Sequence, residues 1–266
     1  MKKIFITGAG SGLGKEATIK LARRGHTVYA SVHYSNQIDS LLEIAERENL
    51  KLSAIKLDIL LPENRKLILD YDIDVFISNA AIGNSGSVAD IDIKKIKETF
   101  DTNVFANLHM VQLALKNMIE KRYGRIVILS SLVGRIPMPF LSPYCSTKFA
   151  LEGFGICLNQ EMKLLNKLYG SNIKISLIEP GAYATGFNKE NNEKKYEWMY
   201  TNSYFSEYTD YIRKYETKIW NFLEQKPYNS IIKKYIRAVE DTNPKFRYHA
   251  PWWQTFFVQL GRILGM

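Results

Sequence analysis

Six short apolar runs, none with the polar alternation of a one-sided sheet, mark the first part of the chain: Ile4–Ile6, Val28–Val32, Leu52–Leu57, Ile73–Ser78, Gly124–Leu129 and Ile173–Ile178. Runs of this kind are what strands look like when helices cover both of their faces. Between them the pattern changes to helical spacing over residues 13–24, 37–49, 92–121 and 146–168. In the first of these, Leu13, Ala17 and Leu21 fall at i, i+4 and i+8. Strand and helix in alternation predict an α/β fold, a doubly wound parallel sheet with helices on both faces. Phe246–His249 is a candidate last edge strand. No repeat, low-complexity segment or linker interrupts the pattern, so residues 1–266 are expected to form a single domain. A composition of 46% hydrophobic and 24% charged residues excludes collagen-like, disordered and disulfide-scaffold classes. The net charge of +9 suits anionic ligands but gives no argument for nucleic acid, and none is expected as a partner.

Directly after the first run stands Thr7-Gly8-Ala9-Gly10-Ser11-Gly12-Leu13-Gly14, which opens the first helix. Glycines let a backbone turn tightly and approach a pyrophosphate, and the helix start offers free N–H groups and a partial positive charge. No Lys-Ser/Thr pair closes the loop, so it is not a P-loop. An acid at the end of the second strand would hold a ribose 2′-hydroxyl and repel a 2′-phosphate. Here that strand runs into His33-Tyr34-Ser35-Asn36-Gln37, and the first acid, Asp39, falls on the next helix. A neutral exit, or a positive one when His33 is protonated, favours NADP(H) over NAD(H). Lys15 adds positive charge or is simply a solvated helix lysine.

Tyr144 and Lys148 lie four apart in Tyr-Cys-Ser-Thr-Lys and would share a helix face. For a tyrosine to exchange protons near neutrality its pKa must fall by roughly 3 units, about 4 kcal/mol. A cation ~6 Å away at an effective dielectric of ~20 supplies about 2.8 kcal/mol. Ser131 ends the fifth strand, and in open α/β sheets ligands bind outside the carboxyl ends of strands. No histidine–acid pair accompanies it, and none of the 4 histidines has metal-ligand spacing.

Together the loop spacing, Ser131 and the Tyr144–Lys148 pair resemble the short-chain dehydrogenase/reductase family, over residues 2–187 and beyond. The resemblance implies a Rossmann-like sheet and a catalytic set of Asn103, Ser131, Tyr144 and Lys148. For the cofactor it implies Gly8, Ser11, Gly12, Leu13 and Gly14 of the loop, with His33 at the second strand's exit and Asp58 on the adenine side. Asn79 in Ser78-Asn79-Ala80-Ala81 and the segment Pro180, Gly181 and Thr185 complete that set, joined by Tyr144 and Lys148. Ala81 and Ala106 stand where the family commonly has glycine. The expected activity is hydride transfer between a carbonyl/alcohol pair and NADP(H), with Tyr144 as general acid/base, Lys148 as its cationic neighbour, Ser131 on the substrate oxygen and Asn103 holding a relay water. The alternative is a catalytically inactive dinucleotide-binding sensor or scaffold of the same fold.

Residues 187–226 are expected to form the substrate lid, with 188–195, wholly polar, as an exposed loop. Tyr196, Tyr200, Tyr204, Tyr208, Tyr211 and Tyr215 recur at helical spacing and predict one half-buried stripe. In the C-terminal tail, 244–266, Trp253, Phe256, Phe257, Leu260 and Leu264 predict an apolar helix face packed in the core or against a subunit. Docking on a membrane surface is the second reading of that face. The tail and the preceding Phe246-Arg247-Tyr248 resemble family members acting on lipophilic alcohols, which implies a bulky apolar substrate. The family also implies a homodimer or homotetramer. No signal peptide or membrane span is expected, and Cys145 and Cys157, on one predicted helix and roughly 18 Å apart, are too far to bridge. A cytoplasmic location is therefore expected.

Overall fold

Ile4 and Ile6 belong to one cluster of buried side chains and Phe5 between them to another, and all three have no solvent exposure. Successive side chains of a strand point to opposite faces, so this strand is covered on both sides. The computed structural model describes residues 1–265. Its strands are β1 (Lys3–Ile6), β2 (Thr27–Val32), β3 (Leu52–Lys56), β4 (Val75–Ser78), β5 (Tyr123–Leu129), β6 (Asn172–Pro180) and β7 (Arg247–Ala250). Its helices are α1 (Gly12–Arg23), α2 (Asn36–Arg47), α3 (Pro62–Lys66), α4 (Ile93–Phe100), α5 (Asn107–Glu120), α6 (Ser142–Tyr169), α7 (Phe187–Asn202), α8 (Thr209–Leu223), α9 (Asn229–Glu240) and α10 (Trp252–Ile263).

All strand pairs are parallel, in the order β3-β2-β1-β4-β5-β6-β7. This is the doubly wound α/β sheet that the alternation predicts, with the candidate edge strand present as β7. One face is packed by α1, α2 and α9, through Ala17, Leu21, Leu41, Ile231, Tyr235 and Val239. The other is packed by α5 and α6, through Met110, Ala114, Met118, Leu151 and Met162. The order reverses between β1 and β4, and a crevice opens beyond the carboxyl ends of strands at such a point.

Four expectations need correction. The helix expected over 92–121 is two helices, α4 and α5, joined by a π-helical turn over Asp101–Ala106. Residues 188–195 are not a loop but most of α7, because distant partners stabilise it: Lys195 is buried against Glu216 of α8, with Nζ to Oε2 at 2.5 Å. The tyrosine stripe is broken between α7 and α8; Tyr196 is buried while Tyr200, Tyr204, Tyr208, Tyr211 and Tyr215 are exposed. Nor does α10 turn its apolar face to the core. Gln254, Thr255 and Gly261 are its buried residues, whereas Phe256, Phe257, Leu260 and Leu264 are exposed. Among the described residues, no helix is long and apolar enough to cross a membrane.

Candidate active site

The glycine loop follows β1 and Asn79 follows β4, so both stand at the reversal of strand order. The Asn79 side chain clamps them together. Its Nδ2 donates to the Thr7 carbonyl at 2.9 Å and the Gly8 carbonyl at 3.1 Å, and its Oδ1 accepts from the Tyr235 hydroxyl at 2.9 Å. The Thr7 hydroxyl in turn accepts from the amides of Asn79 and Ala80. Two glycines are fixed by this approach. A Cβ on Gly8, whose φ is +66°, would fall 2.8 Å from Ala80 Cα, and one on Gly14 would strike the Gly8 carbonyl. Gly12, with φ +53°, faces Thr185 at van der Waals distance. Thr185 thus comes to the loop from the far side of the sheet order, beyond β6.

The loop fits a dinucleotide phosphate. Ser11 precedes α1 in extended conformation and makes no side-chain cap, so the first-turn amides of Gly12, Leu13 and Gly14 have no acceptor within the helix. Orphan donors at a helix start suit an anionic ligand. Gln37 of α2 lies over Gly10, where a Cβ would collide with its amide. Its amide oxygen accepts from the Tyr34 N–H at 3.2 Å. At the exit of β2, His33 is exposed and meets the Tyr34 ring edge-on at 4.6 Å. Lys15 reaches across to α2 and donates to the Ser40 hydroxyl at 2.7 Å, so its ammonium sits on this side of the loop. Asp58 Oδ1 accepts from the Leu60 amide at 2.9 Å in the turn after β3. That is the capping use of an aspartate, and its second oxygen has no hydrogen-bond donor among the described residues.

Ser131, Tyr144 and Lys148 come together on the same rim. Pro143 stands in the first turn of α6, where its missing N–H costs nothing, and the helix then carries Tyr144 and Lys148 on one face. Lys148 is fully buried, and its Nζ lies 5.3 Å from the Tyr144 ring centroid and donates to the Leu129 carbonyl at 2.8 Å. The Ser131 hydroxyl donates to the Pro180 carbonyl at 3.2 Å and caps the turn at Val133, so it links the ends of β5 and β6. Burial pushes the Tyr144 phenol above its ordinary value, while a hydrogen bond with Ser131 pulls the other way. Burial also lowers Lys148 to about 7, with the Glu152 carboxylate opposing. In this structure burial outweighs the expected downward shift of the phenol, and the same dry surroundings that would strengthen the lysine's field also draw Lys148 part of the way toward neutrality.

Asn103 sits in the π-helical turn, a distortion that often marks functional positions. Its Oδ1 accepts from the Ile82 amide at 2.8 Å, and its Nδ2 donates to the Ile82 carbonyl at 2.9 Å and the Thr147 hydroxyl at 3.2 Å. Thr147 precedes Lys148 and donates to the Tyr144 carbonyl at 2.7 Å, so Asn103 braces the first turns of α6. Pro180 ends β6. At Gly181, a Cβ would run into the Gln254 amide, and the Gly181 N–H donates to the Ala250 carbonyl at 2.8 Å.

Three residues of the site lie outside the sequence reading. Asn107 is buried and joins Ser78 Oγ at 2.6 Å to the carbonyls of Ala80 and Thr102 at 2.9 and 2.8 Å. Its signal was available, an asparagine one turn beyond Asn103 on an apolar helix face. Tyr235, the hydroxyl partner of Asn79, has no local signal, since its partner lies 156 residues away. Phe187, the first residue of α7, packs on the Tyr144 ring at 5.7 Å between centroids.

Comparison with known proteins gives the chain its family. The short chain dehydrogenase family model matches residues 2–196, and the chain belongs to the short-chain dehydrogenase/reductase family, a family of oxidoreductases. It is 34% identical over 200 residues to the probable short-chain type dehydrogenase/reductase VdlC of Helicobacter pylori, covering 71% of this chain and 69% of that one. Human retinol dehydrogenase 8 is 32% identical over 194 residues, with 70% and 60% covered. Rat estradiol 17-beta-dehydrogenase 1 is 30% identical over 197 residues, with 70% and 56% covered, so the chain spans little more than half of that relative. In fold it is similar to a short-chain dehydrogenase from Streptomyces avermitilis, with a TM-score of 0.77 at 19% identity over 99% and 93% of the two chains. A Sphingobium yanoikuyae short-chain dehydrogenase in complex with NADPH gives 0.65 at 23% identity over 72% and 75%.

Proposed function

We propose that this protein is an NADP(H)-dependent oxidoreductase that interconverts a carbonyl and an alcohol on a lipophilic substrate, with Tyr144 as general acid and base. The observation that carries the reading is the convergence of the Tyr144 ring, the Lys148 ammonium 5.3 Å from it and the Ser131 hydroxyl on the rim that the glycine loop also reaches. The bound nicotinamide supplies or accepts the hydride. The first-turn amides of Gly12, Leu13 and Gly14, with Ser11, hold the pyrophosphate; Asp58 and Asn79 line the adenosine and ribose side; Pro180, Gly181 and Thr185 line the nicotinamide side.

In reduction, Tyr144 gives its phenolic proton to the carbonyl oxygen, and Ser131 donates a hydrogen bond to the same oxygen as negative charge develops. In oxidation, the phenolate takes the alcohol proton. Lys148 holds the ribose hydroxyls, and its charged form favours the phenolate. Asn103 positions the first turns of α6 and completes the proton path. The basic and neutral groups beside the loop, Lys15, His33 and Gln37, support the 2′-phosphate. Among the residues nearest the β2 exit, 33–38, there is no carboxylate to repel it.

The lipophilic substrate rests on the lid, whose own small core joins Tyr196, Met199 and Ile212 with Phe140, Trp198 and Phe205, and on Phe187 beside Tyr144. Relatives named for estradiol and retinol point the same way. Exposed Phe149, Phe154, Leu164 and Leu168 on α6 support assembly into a homodimer or homotetramer. Unpaired Cys145 and Cys157 support a reducing, cytoplasmic setting.

The test is turnover of a ketone and aldehyde panel with NADPH and with NADH, in the native protein and in Tyr144→Phe. The variant is expected to bind NADPH as the native protein does and to lose about 10²–10⁴-fold in kcat, the usual contribution of a positioned acid/base. Native-like turnover in the variant would overturn the assignment. NADPH binding with no turnover of any carbonyl by the native protein would favour the sensor reading.

A further inference from the structure

Helix α10 is inside out. Its buried positions hold Gln254, Thr255 and Gly261, and its outward face carries Trp252, Phe256, Phe257, Leu260, Ile263 and Leu264. Trp252 is 79% exposed, Phe257 61% and Ile263 81%. The inner face is anchored by polar bonds of Gln254, which accepts from the Ala182 amide at 2.9 Å and donates to the Leu223 carbonyl at 2.6 Å. The helix is therefore locked in this orientation and cannot roll its apolar face inward without breaking those bonds. The face continues onto α8. Phe222, itself 72% exposed, meets Trp253 edge-on at 5.5 Å, and Trp253 meets Phe257 at 6.2 Å.

The charge on α10 itself has one sign, and Glu224, just past Phe222 on the neighbouring segment, accepts from Asn188 Nδ2 at 3.0 Å. From Thr242 to the last residue the sequence has no aspartate or glutamate. Arg262, in the last turn of α10, is exposed and makes no ion pair among the described residues. Lys218 stands one turn before Phe222 on the same side of α8, also exposed and without an ion pair among the described residues. Tryptophan and phenylalanine on an exposed helix face, with exposed cations beside them and no carboxylate on the helix itself, are the composition of a helix lying in a membrane interface.

We propose that the outward face of α10, together with Phe222, docks on the surface of an anionic bilayer, with the rings of Trp252, Phe256 and Phe257 entering the headgroup–acyl boundary and Arg262 and Lys218 facing lipid phosphates. The docking does not depend on the reaction assigned to the site, and the assay reads binding alone.

The full-length protein is incubated with vesicles of phosphatidylcholine containing one quarter phosphatidylserine, and with pure phosphatidylcholine vesicles, and the pelleted fraction is measured. The native protein is expected to pellet with the anionic vesicles and to be partly released by high salt. A Trp252→Gln/Phe256→Gln double variant, at positions whose exposure leaves the fold intact, is expected to bind about tenfold more weakly or worse. A Lys218→Glu/Arg262→Glu variant is expected to lose binding at low salt, with the difference from native shrinking at high salt. Light scattering on the same samples reads the oligomeric state. No pelleting of the native protein, or unchanged pelleting of the aromatic variant, would overturn the proposal. So would an oligomer that falls apart in the aromatic variant while vesicle binding is absent, since the face would then be a contact between copies.

Discussion

Glu179 has no solvent exposure and stands one residue before Pro180, whose carbonyl receives the Ser131 hydroxyl. Two guanidinium groups flank it: Arg135 at 3.2 Å, from the turn after Ser131, and Arg247 at 2.8 Å, from β7. Arg247 also pairs with Glu152, one turn beyond Lys148 on α6, at 2.8 Å. These charges tie together the three chain segments that carry the proposed acid/base group. Burial nonetheless raises Glu179 to about 7, with Glu152 adding to the rise and both arginines opposing it. Its pKa in the folded state exceeds that of the unfolded chain, so between about pH 4.5 and 7 the folded state holds more protons and stability falls as pH rises. A Glu179→Gln variant lacks this dependence. Relative to it, the native protein is expected to lose up to about 3 kcal/mol across that interval, measured by equilibrium unfolding at a series of pH values. A native-to-variant difference that does not change with pH would show that Glu179 ionises normally. At this scale the sequence was most legible where the chemistry is local. Tyr144 and Lys148 share a helix turn, and Ser131 ends a strand; Tyr235 and the Arg135–Glu179–Arg247 cluster depend on pairings that only the folded sheet creates.

Helix α7 shows where local pattern fails. Its polar stretch has one helix-favouring pair, Glu190 with Lys194 at 2.7 Å and i, i+4 spacing. The decisive partner comes from α8: Glu216 accepts from both Lys195 Nζ and the Tyr196 hydroxyl at 2.5 Å. No periodicity within 188–195 announces a carboxylate on another helix. The parallel strands were readable for the opposite reason, since burial on both faces writes itself into each run separately. Likewise the amphipathic pattern of α10 was visible, but not the direction it faces, because a polar inner face held by Gln254 looks in sequence like a solvent face. The start of α7 is set by Gly186, at φ +89°, followed by Phe187 against the Tyr144 ring. This contact makes the lid a wall of the proposed substrate site. Phe187→Ala is expected to raise KM for a turned-over carbonyl about tenfold, close to the ~0.5–1.5 kcal/mol of an aromatic pair plus lost apolar area, with kcat changed less than about threefold. Steady-state kinetics distinguish this from a fall in kcat at constant KM, which would mean that the ring positions Tyr144 rather than the substrate.

Across the whole molecule, the residues assigned to the cofactor come from the carboxyl ends of β1, β2, β3, β4 and β6 and from α6, so a ligand bound there ties both halves of the sheet order together. Binding confined to the folded state adds RT ln(1 + [L]/Kd), about 2.7 kcal/mol at a hundredfold excess over Kd. For a chain of 266 residues each kcal/mol moves Tm by roughly 2–4 °C, so NADPH at that excess is expected to raise Tm by about 5–10 °C. The β2 exit decides whether NADH does the same. In the proposed reading, Lys15 held beside it by Ser40, the exposed His33 and the first acid delayed to Asp39 on α2 favour a 2′-phosphate over a bare 2′-hydroxyl. If the phosphate contributes about a hundredfold in affinity, NADH at the same concentration sits near its own Kd and adds only about 0.4 kcal/mol, roughly 1 °C. Thermal unfolding with the two cofactors at matched concentration measures the difference directly. An equal or larger shift with NADH would remove the NADP(H) preference while leaving the catalytic assignment standing, because Tyr144, Lys148 and Ser131 lie at the other end of the crevice from the group that discriminates the two.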